Sequence, residues 1–127
     1  MIKSVFASLA LTLVLMGPAW AHHNMTAIFD FDQQFTRTGT LTKIDWGNPH
    51  IGLSVDAKGA QARTWSFEGP SPKFFRVRGI SKSHFENAIG ETVTVEASRA
   101  RDGSLSGLIR MITLPDGTVV SLCPKNC

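Results

Sequence analysis

The chain has 127 residues, 13 of them basic and 10 acidic, for a net charge of +3 at neutral pH. That length allows one small domain once a short leader is set aside. The charge is weak and scattered, so the electrostatic footprint of a nucleic-acid binder is missing.

The leader is legible at once. Lys3 supplies a positive start, Val5 to Met16 is an almost unbroken apolar run, and Gly17-Pro18 breaks it. Ala19-Trp20-Ala21 then satisfies the small-x-small rule for signal peptidase. The apolar run is shorter than the roughly 20 residues that span a bilayer, and no lipobox cysteine follows it. Residues 1–21 therefore read as a cleaved signal peptide, with a mature chain that begins at His22. The expectation is export to the periplasm, with no stable membrane insertion after cleavage. Without Lys3, 12 basic and 10 acidic residues remain, and the net charge is +2. An exported, weakly charged chain is not expected to meet nucleic acid.

Residues 22–36 form an N-terminal arm in which Phe29, Phe31 and Phe35 alternate with polar residues, a pattern of extended, packed chain. The first long strand is expected over Arg37 to Trp46 and the second over His50 to Val55. Between them, Gly47-Asn48-Pro49 makes a corner. Lys58-Gly59 turns the chain into a third strand, Thr64 to Glu68, with Trp65 and Phe67 on one face. Pro70-Ser71-Pro72 ends this run and opens a short helix over Lys73 to Arg78, with Ser71 as N-cap, Pro72 in the first helical position and Gly79 as the stop. Ser81 is a second N-cap candidate, before a helical turn over Lys82 to Asn87. Glu91 to Ala97 alternates again, with Val93 and Val95 inward. Asp102-Gly103 is a strong hairpin signal leading into Leu105 to Leu114, and Asp116-Gly117 turns the chain into a last strand, Thr118 to Leu122. Three strands, a mid-chain helix and two or three further strands joined by short turns predict an all-β domain with one short helix over residues 37–122. The architecture expected is a small OB-like Greek-key β-barrel, with a flat sandwich as the alternative.

Residues 123–127 form a C-terminal tail with Cys123 and Cys127 spaced C-x3-C. In an oxidising compartment their simplest arrangement is one short-loop disulfide. A thiolate metal pair and a redox pair remain open, the latter weakened by the lack of an activating helix N-terminus.

Several stretches carry a resemblance: His22-His23, Phe29-Asp30, Gly39-Thr40-Leu41, Trp46-Gly-Asn-Pro-His50, Trp65-Ser-Phe-Glu68-Gly69, Val93-Thr-Val-Glu96, Arg99-Ala-Arg-Asp-Gly103 and Leu114-Pro-Asp-Gly117. Together they resemble a family of small exported bacterial proteins of unknown function with an OB-like barrel. The resemblance covers nearly the whole mature chain, and the W-x-N-P-H motif and the His-His start are its most specific parts. It implies the fold and the export, and no activity. The terminal cysteine pair falls outside it.

Chemistry is concentrated in the histidines. Cleavage after Ala21 would leave His22 with a free α-amine beside its imidazole, and His23 adds a further nitrogen. His50, where the corner becomes a strand, can complete a nitrogen-rich set suited to copper, and Met25 adds a soft thioether that favours Cu(I). Against this stands a solvated terminus of the ordinary kind, with His50 as a corner histidine bonded to backbone. Asp45 and Glu68, on neighbouring strands, could orient His50 or join a metal from behind it. His84, in the helical turn, reads as a surface residue. Trp46, Trp65 and Glu68 form a candidate ligand face of the barrel, although Trp46 and Trp65 also suit a core. Arg99 and Arg101, beside the Asp102-Gly103 hairpin, could meet an anionic partner. No nucleophile–base pair has a recognisable context, and Asp30 and Asp32 read as solvated.

Two functions follow. One is a periplasmic binding protein that takes copper or another transition metal through His22, His23 and His50. The other is a metal-free interaction module that binds a protein, glycan or small molecule on the barrel face. A redox enzyme built on histidine-bound copper is the weakest possibility.

Overall fold

The computed structural model describes residues 25–122. The expected leader, His22, His23, Cys123 and Cys127 lie outside the described residues, as does any pairing of the two cysteines.

A single turn of helix, α1 (Met25–Ile28), leads directly into a strand of 17 residues, β1 (Phe29–Asp45). The strands that follow are β2 (Gly52–Ala57), β3 (Thr64–Glu68), β4 (Thr92–Ala100), β5 (Ser106–Thr113) and β6 (Val119–Ser121). Two short helices, α2 (Pro72–Arg76) and α3 (Lys82–Glu86), fill the connection from β3 to β4, and a 3-10 turn, Gly59–Gln61, joins β2 to β3. The sheet runs β3-β2-β1-β4-β5-β6, and β3 also pairs in parallel with β5. That pairing closes five strands into a barrel-like ring, the arrangement expected of an OB-like Greek key. Closure removes the exposed edges that β3 and β5 would otherwise present. Among the described residues no helix is long and apolar enough to cross a membrane.

Two expectations need correction. The one short helix expected of the domain is joined by two more: the helical turn anticipated after Ser81 is α3, and residues 25–28, read as extended arm, coil before the first strand. The arm is also mostly part of β1: Phe29 pairs with Ala100 and Asp30 with Arg99, and after a register break Gln34 pairs with Ser98 and Phe35 with Ala97. Residues 31–33 are bulged out of the ladder. A bulge of odd length reverses which face the following residues occupy. Phe29 thereby lies on the outside of the ring and Phe35 on the inside, against Trp65 and Phe67. Simple alternation across 29–37 cannot see such a switch.

The interior follows the period of two. Leu53, Val55 and Ala57 of β2, Trp65 and Phe67 of β3, and Val93, Val95 and Ala97 of β4 are all buried. Fully burying a Val, Leu or Phe side chain contributes about 1.5–3 kcal/mol relative to leaving it exposed. Gly39 marks a close approach of β1 to β2, since a Cβ there would overlap the carbonyl oxygen of Asp56. The helices seat on the ring through Phe75 and Phe85, both fully buried, whose rings lie 5.5 Å apart, edge to face. The chain then returns to β1 by two backbone bonds: the Gly90 amide donates to Leu41 at 2.8 Å, and the Leu41 amide donates to Glu91 at 3.0 Å.

Candidate functional site

The corner after β1 is built by its backbone. The Asn48–Pro49 peptide bond is cis, and the buried Ile51 is clamped on both sides, its amide donating to Pro70 at 3.1 Å and its carbonyl accepting from Gly69 at 3.0 Å. This clamp continues the β2–β3 register, in which Gly52 faces Glu68. His50 is thereby delivered beside the end of β3, and its Nδ1 lies 2.6 Å from Oε1 of Glu68. Both side chains are about one third exposed, at 30% and 36%. A contact this short has Nδ1–H donating to the carboxylate. The tautomer and ring orientation are then set, and Nε2 is left as the nitrogen for a ligand.

His50 and Glu68 line an open groove of about 400 Å³ on the outside of the ring. Asp45, Ser66, Ile28 and Phe29 also line it. The segment that precedes β1 therefore ends at the groove that holds His50. Among the described residues no three His, Cys, Asp or Glu side chains cluster closely enough to hold a metal ion by themselves.

The other expected residues are dispersed. Trp65 is 1% exposed, inside the ring, and Trp46 packs beneath the helices with its ring 5.2 Å from Phe75 and 5.4 Å from Phe85. Of the expected ligand face, Glu68 alone opens on the groove. The tryptophans took the structural role because a domain this small needs its largest apolar side chains inside. His84 caps α3, its Nδ1 accepting from the Ser81 amide at 3.1 Å. Arg101 is engaged by Asp30 at 3.3 Å and by the carbonyl of Thr26 at 2.8 Å, so Arg99 and Arg101 do not act as one anion site.

Sequence reasoning missed Arg37. Its guanidinium lies 4.2 Å from the centre of the Trp65 ring and 4.9 Å from that of Phe35, and Arg99 lies 5.1 Å from the same Phe35 ring. Burial, followed by repulsion from Arg99, holds the Arg37 guanidinium below its ordinary range. The signal was available: Phe35 and Arg37, like Ala97 and Arg99, stand two apart on a strand and share a face.

These features define a small β-ring protein with an outer groove around a carboxylate-oriented histidine. Residues 11–110 match the model of a family of unknown function, DUF6152, and the chain belongs to that family. No curated protein matches the chain.

Proposed function

We propose that this chain is an exported, periplasmic binding protein that holds copper through His22 and His23 of the mature N-terminus together with His50. The observation that carries this reading is the shared lining of one groove by Ile28, Phe29, His50 and Glu68. His23 precedes Ile28 by five residues, and extended chain covers up to about 3.6 Å per residue. Because Met25–Ile28 is a helical turn rising about 1.5 Å per residue, the span from Ile28 is at most about 12 Å for His23 and about 15 Å for His22, a length that permits both to reach His50.

The donor chemistry favours copper over harder metals. An α-amine, the imidazoles of His22 and His23 and Nε2 of His50 make a set of nitrogen ligands that suits Cu(II). An α-amine has a pKa of about 7.7–8.0 and gives up its proton to a metal readily near neutral pH. Glu68 would fix the tautomer and orientation of His50, as carboxylates behind metal-bound histidines do. Met25 offers a thioether if Cu(I) is the species carried.

The test is a Cu(II) titration of the mature chain beside a version with one extra residue before His22. The extension is expected to weaken binding and change the stoichiometry, because it buries the α-amine in a peptide bond. His50→Ala should weaken binding as well, and Glu68→Gln should cost about 10–100-fold in affinity, the usual effect of losing such an orienting carboxylate. Unchanged affinity and stoichiometry in the extended chain would rule out the terminal site.

A further inference from the structure

Phe35 lies toward the end of the ring where β4 finishes and β5 begins, close enough that a Cβ on Gly107 would touch its ring. Two guanidiniums share that ring, Arg37 and Arg99. Neither meets a carboxylate among the described residues. Asp30 stands opposite Arg99 in the β1–β4 register, yet its carboxylate is taken by Arg101. Two like charges are thus held around one aromatic ring with no counter-charge, an arrangement that raises the energy of the empty site.

The unused donors point the same way. Arg37 spends one Nη1 bond on the Thr36 carbonyl at 2.8 Å, while its Nε is buried without a partner. Nε1 of Trp65, the indole beneath Arg37, is also buried and unpartnered. Buried donors in folded proteins are nearly always satisfied, and an exception asks for an explanation, of which a bound anion is one. Both arginines retain partial exposure, so a small solute has access. Arginine forks match carboxylate and phosphate oxygens in pairs.

We propose that Arg37 and Arg99, held around Phe35, form a binding site for a small oxyanion, the carboxylate or phosphate group of a small molecule. The site uses none of the proposed copper ligands and stands or falls independently of them. It neutralises the paired charges and gives the two guanidinium forks the acceptor oxygens they lack.

The experiment uses metal-free mature protein, so that an anion captured by bound copper does not count. Sodium phosphate and sodium succinate are titrated separately at constant ionic strength set with sodium chloride, with tryptophan fluorescence and thermal midpoint as readouts. One of the two anions is expected to saturate at one equivalent and raise the midpoint above the chloride control. Preference for phosphate identifies a phosphate-bearing ligand, and preference for succinate a carboxylate. Arg99→Gln should weaken binding about tenfold or more, the effect of losing a charge-assisted hydrogen bond. Arg37→Lys keeps the charge but loses Nε and the fork, and should weaken binding comparably. The proposal is overturned if neither anion acts beyond the chloride control in the wild-type chain. An equal response in folded Arg99→Gln and wild type would overturn it too.

Discussion

Asp102 accepts a hydrogen bond from the Ser104 amide at 2.9 Å, and Asp116 accepts one from Thr118 at 2.8 Å. Each closes a local turn, and at the first of these Gly103 takes φ = 77°, the left-handed region that side chains avoid. Hydrogen bonds from Ser104 hold the Asp102 carboxyl below its ordinary range, and the Thr118 amide does the same for Asp116. A carboxyl depressed in the folded chain stabilises it above the ordinary value of 3.8, and that contribution disappears as pH falls through the lower folded value. The Asp102→Asn/Asp116→Asn chain should therefore lose less thermal midpoint than wild type between about pH 5 and about pH 2. Parallel melts across that range check it, and equal losses would contradict the assignment. Both turns are legible in the sequence because Asp-Gly pairs act within four residues. The His50–Glu68 contact is legible only as a possibility, since 18 residues separate the partners and the strand register alone brings them together.

Among the elements, α2 and α3 depend on tertiary packing rather than on their own propensity. Each has five residues, far fewer than the roughly 12–15 an isolated helix needs in water. Pro72 in the first turn and Ser81 before α3 mark where they start, as read from the sequence. What holds them is the aromatic cluster of Phe75, Phe85 and Trp46. Phe85→Ala should destabilise the protein by about 3–5 kcal/mol, the cost of emptying a fully buried aromatic site, and urea unfolding measures it directly. A loss below about 1 kcal/mol would mean that the cluster collapses to refill the space. β1 is the element least visible beforehand. Its odd-length bulge at residues 31–33 reverses the facing of the chain, so the arm and the first strand look like different segments.

At the scale of the whole molecule, the parallel contact of β3 with β5 turns a sheet into a ring. Its register pairs Ser66 with Ser106, Phe67 with Gly107 and Glu68 with Leu108, and the Ser66 amide donates to Leu105 at 3.0 Å. If the ring opens only when the protein unfolds, the Ser66 amide should exchange hydrogen with the same free energy as the central Val95 amide. Faster exchange at Ser66, with Val95 still protected, would show that the seam opens by itself. The seam also shapes the groove around His50 and Glu68, which has both Ser66 and Ser106 in its lining.

The sequence by itself determined what local chemistry can encode. The turn residues, the alternating strands, the helix starts and the OB-like order of elements all arise from neighbours a few residues apart. The W-x-N-P-H motif located the corner that presents His50. Only the tertiary structure decided which face each residue meets. It buried Trp65 in the core and packed Trp46 against it, set Glu68 on His50, brought Ile28 and Phe29 to the groove, and left Arg37 and Arg99 without an acid among the described residues. The physical reason is that burial and charge pairing depend on register and closure. Both are settled by strands that are distant in sequence, and no local pattern carries them.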